Sequence, residues 1–426
     1  MKRDPGPGRP VEPGLMPARL SVASVKAIRA EFPALAREHQ GRPVAYFDGP
    51  GGTQVPKAVV DAMSTYLFRH NANTHWAYPS SAETDAMIEA ARQGFGEFFN
   101  SRAAEVVFGL NMTTLTFHLA RGLGRGWVPG DEIVLTELEH HANVAPWEAL
   151  ARERGIRLRS LPLRVEDGTL DLTALPEQFT PRTRLLAITA ASNSLGTVPD
   201  VAAACAMARQ AGVLSFVDAV HAAPHSLLDV QAIGCDFLAC SAYKFYGPHV
   251  GILFGREALL QTLDVPKLAP APDTAPERLE TGTQNHEGIA GALAAVEFLA
   301  GLGRGSTRRA RLAVVFSELH RRSAALFSRL WEGLSLQRRV RLYGPGPNAP
   351  RTPTLGFTVR GVGPNEVARR LARRGLFLSH GDFYAQTVIE RLGLMPDGLV
   401  RAGCACYTDE DEIDRLIAAV AEIGAR

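Results

Sequence analysis

The sequence is poor in cysteine, with five among 426 residues, and these five are scattered. They are Cys205, Cys235, Cys240, Cys404 and Cys406. Such spacing does not form a disulfide framework, and the C-x-C pair at 404 and 406 matches neither a C-x-x-C redox pair nor a common zinc site. We therefore predict a reduced protein of the cytoplasm.

Long apolar runs and strong charge are also missing. No run approaches the roughly 20 apolar residues that a membrane-spanning helix needs. The formal net charge is +2, and no basic cluster is interleaved with aromatic residues, so neither nucleic acid nor a membrane is predicted as a partner. The first 20 residues contain five prolines and three glycines but no apolar core, which argues against a secretory signal. We interpret residues 1–21 as a disordered tail.

Short apolar runs alternate with helical patterns from Ala45 to about Asn285. The strand-like runs are Glu105–Phe108, Glu132–Thr136, Leu185–Thr189, Val213–Val217, Asp236–Cys240 and Gly251–Phe254. Because most are continuously apolar rather than alternating, they predict strands buried on both faces of a mainly parallel sheet. The fold class is therefore α/β, with a site at the carboxyl ends of the strands.

The chain length suits two domains. We predict an N-terminal segment at residues 22–45 that packs on the small domain, a large domain at 46–287, and a smaller α+β domain at 288–426. The patterns behind the small domain are helices near Ile289–Gly301, Arg309–Gly333 and Asn365–Arg374, a strand at Thr354–Val359, and a final helix at Asp409–Ile423.

Two charged residues follow apolar strands. Lys244 comes after Asp236–Cys240 and precedes a Gly-Pro turn, which places it above an edge of the sheet. Asp218 ends the run Val213–Val217, where a buried charge requires a partner. Alone, Lys244 fits a solvated surface lysine and Asp218 fits an N-cap. Together they favour a pyridoxal phosphate site, in which the carboxylate faces a protonated pyridine nitrogen.

Other polar residues follow strands at the same predicted edge. Thr113 and Thr114 open a helix, and their hydroxyls with the free N–H groups of a helix N-terminus form an anion cradle, to which Ser241 adds a hydroxyl. His140 has a ring that could lie flat against an aromatic cofactor. The adjacent histidine points elsewhere, so we predict no metal. Asn193 follows a further strand.

Longer motifs occur in a fixed order from Tyr46 to the last helix. They are YFDGPGGTQVP at Tyr46–Pro56, EHHANVAPW at Glu139–Trp147, SNSLGT at Ser192–Thr197, SAYKFYGP at Ser241–Pro248, ETGTQN at Glu280–Asn285 and RAGCACY at Arg401–Tyr407. With these motifs the chain resembles the class V aminotransferase superfamily of fold type I, and within it the cysteine desulfurase and selenocysteine lyase group. The resemblance implies a pyridoxal 5'-phosphate enzyme for a small α-amino acid, with a seven-stranded type of sheet between helices.

The resemblance also implies catalytic roles. Lys244 resembles the Schiff-base lysine and general base, and Asp218 resembles the partner of the pyridine nitrogen. His140 resembles the histidine that stacks on the cofactor ring. Asn193 resembles the residue near the cofactor hydroxyl and the substrate.

Further binding roles are implied in the same way. Thr113, Thr114 and Ser241 resemble phosphate ligands, and Thr283 resembles the threonine that one subunit donates to the phosphate site of its partner. A homodimer with shared active sites follows from that. Arg401 resembles the arginine that pairs with the substrate α-carboxylate, a bidentate task suited to a guanidinium.

Four positions depart from the family pattern. The desulfurase loop cysteine, which takes up sulfur as a persulfide, aligns with Tyr384, and a phenol forms no persulfide. An arginine five residues earlier is replaced by Ser379. The usual glutamine after the cofactor aspartate is His221, as in kynureninase-like and epimerase-like relatives, and the usual histidine before the lysine is Tyr243. Both replacements keep hydrogen-bonding capacity beside the cofactor.

These departures favour a C–S or β-lyase, which needs no cysteine nucleophile. The alternatives are an aminotransferase or epimerase of class V type, a true cysteine desulfurase, and a non-catalytic protein that binds pyridoxal phosphate. Retention of both Lys244 and Asp218 argues against the last, since neither is needed merely to fold. Cys404 and Cys406 fit small core residues better than substitute nucleophiles.

Overall fold

A computed structural model describes residues 22–425 of the chain. The predicted disordered tail at residues 1–21 lies outside this range. The centre of the structure is a seven-stranded sheet with strands in the spatial order Val106–Gly109, Gly251–Gly255, Phe237–Ser241, Leu214–Asp218, Thr183–Thr189, Glu132–Thr136 and Arg157–Leu161. The last five of these strands run parallel to one another. In this sheet Gly251–Gly255 alone runs opposite to the other six strands, so the predicted mainly parallel α/β sheet is confirmed.

Six of the seven strands lie within two residues of the predicted runs. The seventh, Arg157–Leu161, was not predicted. It is one of the two edge strands of the sheet, and only Leu161 at its end is buried. Its sequence, RLRSL, therefore lacks the continuous apolar run that marks the central strands.

Helices cover the sheet, and two of them start earlier than their apolar pattern suggests. The apolar pattern of one helix predicts the range Glu83–Phe99, but the helix Pro79–Phe99 begins four residues earlier, because Pro79 supplies the first helical turn without needing an N–H. Met112–Gly124 begins one residue before Thr113 and is capped by Asn111. The other α-helices before residue 302 are Val25–Ala30, Lys57–Arg69, Ala145–Arg154, Val201–Gln210, Val230–Ile233, Glu257–Thr262 and His286–Gly301.

A second core lies in the C-terminal part. Its four-stranded antiparallel sheet has the order Val340–Tyr343, Thr354–Val359, Leu399–Gly403 and Ser379–Gly381. The helices of this part are Arg308–Ser335, Pro364–Ala372, Gln386–Arg391 and Glu410–Ala425. The first half of Arg308–Ser335 and all of His286–Gly301 contribute instead to the core around the large sheet. The division of the chain at residue 287 stays a prediction.

The N-terminal segment contacts the C-terminal part. Arg29 donates a 2.5 Å hydrogen bond to the carbonyl of Tyr407 and pairs with Glu412 at 3.0 Å. Further along, Ala45–Tyr46 pairs in parallel with Leu376–Phe377. The chain then turns inward at Asp48, which forms an isolated bridge with Gly403. This path brings residues 50 and 51 to the end of the large sheet.

Candidate active site

Lys244 lies just beyond the end of a central strand. Phe237–Ser241 ends, one turn of 3-10 helix follows at Ala242–Lys244, and the amine Nζ donates to the carbonyl oxygens of Pro50 at 2.6 Å and Gly51 at 3.0 Å. Burial, helped by the positive charge of Arg401, lowers the pKa of Lys244 to about 7. A large share of this amine is therefore neutral near neutral pH, as a nucleophile for an aldehyde requires.

Asp218 is the last residue of the neighbouring parallel strand, Leu214–Asp218, and is almost completely buried. Within residues 22–425 its carboxylate accepts one hydrogen bond, from the N–H of Val220 at 2.9 Å. Burial raises its pKa to about 6, although this hydrogen bond and Lys244 act in the opposite direction. A buried carboxylate with so few donors suits a cationic partner, such as a protonated pyridine nitrogen.

Lys244 and Asp218 line one cavity of about 570 Å³. The other predicted residues that line it are Thr113, Thr114, His140, Asn193, His221, Ser241 and Tyr243. The cavity thus combines a lysine, a carboxylate, an imidazole and a helix N-terminus. This set of groups fits pyridoxal 5'-phosphate, whose aldehyde, ring nitrogen and phosphate need a lysine, a carboxylate and an anion cradle respectively.

The two threonines of the predicted cradle differ in their contacts. Thr114 forms a capping box with Asn111: its N–H donates to Asn111 Oδ1 at 2.9 Å, and its hydroxyl donates to the Asn111 carbonyl at 2.9 Å. The Thr113 hydroxyl has no hydrogen bond within residues 22–425. Ser241 Oγ accepts from the N–H of Met112 at 2.9 Å, which leaves its own proton to donate. The free hydroxyls in the cradle are therefore those of Thr113 and Ser241.

His140 is held in one tautomer. Its Nδ1 accepts a hydrogen bond from the N–H of Ala142 at 3.0 Å. Burial foremost, and then the charges of Lys244 and Arg401, lower the pKa of His140 to about 4. The ring is therefore neutral, with Nδ1 as acceptor and the proton on Nε2.

Glu139, which the sequence analysis did not single out, fixes the turn that carries His140. This fully buried carboxylate accepts hydrogen bonds from Thr136 Oγ1 at 2.6 Å, Asn143 Nδ2 at 2.7 Å and the Thr189 N–H at 2.9 Å. It thereby connects the ends of two sheet strands with the turn after His140. Burial raises the pKa of Glu139 to about 8. Its position three residues after the apolar strand Glu132–Thr136 was the available signal.

A second cavity, of about 750 Å³, adjoins the first. Both are lined by Thr113, His140, Asn193, Tyr243 and Lys244, and the second also reaches Arg401 and Tyr384. A small molecule attached at Lys244 would therefore extend into it.

Arg401 is buried in the wall of the second cavity. Its Nη1 donates to the carbonyl of Asn193 at 2.8 Å, and Nε and Nη2 donate to Ser379 Oγ at 3.3 Å and 3.2 Å. The ring of Phe383 stacks on the guanidinium, 4.0 Å from Cζ. Burial lowers the pKa of Arg401 to about 9. No carboxylate of residues 22–425 lies within 4.0 Å of its nitrogens, so the site holds a buried cation with room for an anion.

Tyr384 lies at the mouth of the second cavity, 72% exposed. Its ring centroid is 5.6 Å from that of His140. The loop is fastened by the N–H of His141, which donates to the Tyr384 carbonyl at 2.7 Å, and by Asn193 Nδ2, which donates to the Phe383 carbonyl at 2.9 Å. Phe383 and Tyr384 both have φ of +56°, a conformation that side chains disfavour.

Cysteine is absent from the lining of both cavities within residues 22–425. All five cysteines of the chain are buried. Burial raises the pKa of each thiol, for instance that of Cys404 to about 12 and that of Cys406 to about 12. Buried thiols of this kind are poor nucleophiles.

His221 and Tyr243 line the first cavity and have different contacts. His221 Nε2 lies 3.1 Å from Thr352 Oγ1 and 3.0 Å from Thr354 Oγ1, and full burial lowers its pKa well below the usual value. Tyr243 stacks on His249 with centroids 4.8 Å apart and ring planes at 18°. His249 is another lining residue that the sequence analysis missed.

Thr283 does not lie with the other predicted residues. It is exposed and lines a third cavity, of about 660 Å³, together with Trp76, Leu268 and Arg92. Trp76 and Leu268 are 62% and 61% exposed.

Residues 22–425 offer neither a candidate metal cluster nor a candidate membrane helix. These residues contain no group of three or more His, Cys, Asp or Glu side chains that could hold a metal ion. Among their helices, none has both the length and the apolar character of a membrane span.

Comparison with known proteins places this site in a family. Residues 45–416 match the family described as Aminotransferase class-V. A cysteine desulfurase of Pectobacterium atrosepticum is 34% identical over 415 residues, which cover 94% of this chain and 98% of the relative. A cysteine desulfurase of Klebsiella pneumoniae is 36% identical over 416 residues, with the same coverage of both chains.

Solved structures agree with these relatives. The apo cysteine desulfurase of Thermococcus onnurineus NA1 superposes with a TM-score of 0.85 at 28% identity, covering 94% of this chain and 98% of that one. The cysteine desulfurase CsdA of Escherichia coli gives a TM-score of 0.82 at 29% identity, again with 94% and 98% coverage. The cystine C–S lyase C-DES shares the fold, with a TM-score of 0.77 at 24% identity over 92% of this chain and 99% of that one.

The fold and the matches define an enzyme that depends on pyridoxal phosphate, and the chain belongs to the class-V aminotransferase family. Within the family it is of the cysteine desulfurase type and acts on an amino acid.

Proposed function

We propose that the protein is a C–S or β-lyase that cleaves the side chain of a small sulfur-containing amino acid without a persulfide on the enzyme. The observation that supports the proposal is the second cavity, which is lined by Tyr384 and, within residues 22–425, by no cysteine. The resemblance aligns Tyr384 with the loop cysteine of the desulfurases. None of the five thiols lines this cavity, and burial suppresses the ionisation of all five.

Bound pyridoxal phosphate would supply an electron sink for the carbanion formed when Cα loses its proton. In this proposal Lys244 holds the cofactor and moves that proton, while Asp218 keeps the ring nitrogen protonated. His140 covers the ring as a neutral imidazole. Arg401 binds the substrate carboxylate, and Asn193, which donates to the Tyr384 loop, sits beside it.

The remaining residues would bind the phosphate and shape its surroundings. Thr113 and Ser241 offer free hydroxyls, and Thr114 holds the helix start through its capping box. His221 anchors the wall beside Asp218 through the two threonine hydroxyls. Tyr243 packs beside Lys244, whose Nζ lies 5.0 Å from the ring centroid.

The deciding experiment is product analysis of the cofactor-loaded enzyme with L-cysteine and a reductant. β-Elimination converts cysteine and water into pyruvate, ammonia and hydrogen sulfide in equal amounts, and this is the expected result. Alanine with sulfide would instead mean that desulfuration proceeds without the loop cysteine, which would overturn the lyase assignment. If cysteine is not turned over, other amino acids are tested. Conversion of one of them to its keto acid would favour the aminotransferase alternative, and conversion to its enantiomer would favour the epimerase alternative.

We also propose a homodimer in which Thr283 reaches the phosphate cradle of the second copy. The exposed Trp76 and Leu268 beside Thr283 are large apolar side chains, which a second subunit would cover. Light scattering of the purified protein tests the assembly, and a monomer at micromolar concentration would contradict it. Thr283→Ala should weaken cofactor binding while the dimer persists.

A further inference from the structure

We propose that His249 is a phosphate ligand of the bound cofactor, and that Tyr243 positions it. The inference depends only on the pyridoxal phosphate site and not on the reaction that the enzyme catalyses. His249 stands outside the motifs that identify the family, and its neighbours in the sheet reveal its place in the cavity.

The lining of the first cavity places His249 at the phosphate end. His249 comes just before the strand Gly251–Gly255, whose first residue pairs with Gly109. The chain after Gly109 then folds over the start of this strand, because a Cβ on Gly251 would lie 2.4 Å from the carbonyl carbon of Asn111, the N-cap of the helix that begins at Met112. His249 and the start of that helix line the same cavity.

The ring of His249 is held in place by stacking but makes no hydrogen bond within residues 22–425. It is stacked on Tyr243 with centroids 4.8 Å apart and planes at 18°. Within residues 22–425 neither ring nitrogen makes a hydrogen bond, although the ring lines the cofactor cavity. The other two histidines of the cavity are already committed, His140 through Nδ1 and His221 through Nε2. His249 is therefore the histidine of this cavity that has both ring nitrogens available within residues 22–425.

The cradle otherwise lacks a cation for its anion. Lys244 is the only lysine or arginine that lines this cavity within the described residues, and it is needed at the aldehyde. The remaining donors at the helix start are the hydroxyls of Thr113 and Ser241 and main-chain N–H groups, which are neutral. An imidazole that donates to a phosphate dianion forms a charge-assisted hydrogen bond, about twice as strong as a neutral one.

The test compares the affinities of the apoprotein for pyridoxal phosphate and for pyridoxal, which lacks the phosphate. Binding of each is followed by its absorbance change. His249→Gln should weaken the binding of pyridoxal phosphate about tenfold or more, and should leave that of pyridoxal unchanged. His249→Lys puts an ammonium donor in place of the imidazole and should recover most of the affinity. His320→Gln removes an exposed histidine that does not line the cavity and serves as the matched control.

Phosphorus NMR of the bound cofactor gives a second readout that is independent of activity. The phosphate resonance should shift in His249→Gln and stay in place in His320→Gln. An unchanged resonance and unchanged affinity in His249→Gln would overturn the proposal. Equal weakening of both ligands would overturn it too, because that result assigns His249 to the shape of the cavity. The Tyr243→Leu variant should reproduce a part of the His249→Gln effect on pyridoxal phosphate, since the stacking partner is lost.

Discussion

The aromatic ring of Phe383 covers one face of the Arg401 guanidinium, 4.0 Å from Cζ. This contact shields a buried cation from water without neutralising it, because a ring face offers only a quadrupole. The edge with Nε and Nη2 meets a single hydroxyl, that of Ser379. A carboxylate that displaces this hydroxyl would gain two parallel charge-assisted hydrogen bonds. The stack therefore leaves Arg401 ready for a planar anion of the size of an amino-acid carboxylate.

Arg401→Lys should raise KM for the amino acid more than it lowers kcat. A lysine keeps the charge but loses the fork of donors and the flat surface under Phe383. We expect KM to increase about tenfold to a hundredfold, in line with the loss of one to two charge-assisted hydrogen bonds. Steady-state kinetics measure this split, and an unchanged KM would remove Arg401 from the substrate site. Ser379→Ala is the matched control, because it deletes only the hydroxyl that the carboxylate would displace.

Capture of the cofactor by the apoprotein should depend on pH through Lys244. Its pKa is lowered to about 7 from an ordinary 10.5, so the amine is protonated below that pH and neutral above it. Only the neutral amine attacks an aldehyde. The rate of cofactor capture, followed by absorbance, should therefore rise from about pH 6 to about pH 8 and then level off. A rate that keeps rising to about pH 10 would mean that the site leaves the pKa of the lysine unchanged. The Lys244→Ala variant is the control and should lack the absorbance change of covalent capture.

The central part of the fold could be predicted from the sequence because strands buried on both faces consist of continuous apolar residues. The run Leu185–Thr189, for example, lies inside the strand Thr183–Thr189. The edge strand Arg157–Leu161 was missed because only Leu161 in it is buried, whereas the other edge strand, Val106–Gly109, is mostly buried and has an apolar run. Two helix starts were displaced because they depend on the fixed backbone of Pro79 and on the side-chain cap of Asn111, and neither belongs to an apolar pattern.

The place of a site residue could be predicted where that residue directly follows a predicted strand. Lys244 and Asp218 both come at strand ends, and parallel strands bring such ends together. Phe383 and His249 were missed because their positions depend on a loop and on strand register, which no local pattern encodes. Thr283 shows the reverse case, since its motif was recognised but the fold of the chain places it in a different cavity from Lys244.

The Asp218→Asn substitution should lower the activity of the enzyme far more than it weakens cofactor binding. The amide keeps the shape of the side chain and the hydrogen bond from Val220, but it cannot stabilise a protonated pyridine nitrogen. We expect kcat to fall at least about a hundredfold, the scale of a lost electrostatic contact in an active site. The absorbance of bound cofactor should remain, with a shifted maximum. Unchanged turnover would show that the ring nitrogen does not need this carboxylate.

Glu139→Gln should destabilise the fold and disturb the cofactor. The new amide group would face Asn143 Nδ2, whose own oxygen already accepts from the indole Nε1 of Trp147 at 3.1 Å. Two opposed donors in the core cost about 1–3 kcal/mol, which urea unfolding of the apoprotein would detect. Glu153→Gln changes an exposed residue of the helix Ala145–Arg154 and should have little effect.

The pH dependence of the stability of the wild type and of Glu139→Gln gives a second check. The pKa of Glu139 is raised to about 8, well above its unfolded value of 4.5. The folded state therefore binds more protons between these values, and its stability should fall as pH rises through that window. Glu139→Gln removes this contribution, so the stability difference between wild type and variant should narrow from acidic to mildly alkaline pH. A constant difference would mean that Glu139 stays ionised throughout.

Tyr384→Cys should add persulfide chemistry to the enzyme. The loop is already fastened over the cavity by hydrogen bonds from the His141 N–H and from Asn193 Nδ2 to main-chain carbonyls, which do not involve the side chain of residue 384. A thiol at that position would be exposed, and its thiolate can attack the sulfur of bound cysteine. We expect alanine among the products and a mass increase of one sulfur atom on the variant, both absent from the wild type. Tyr384→Ser is the control, since it opens the same space without a thiol. If Tyr384→Cys gave only pyruvate, the loop residue would not set the reaction, and the cause would have to lie in His221, Tyr243 or Ser379.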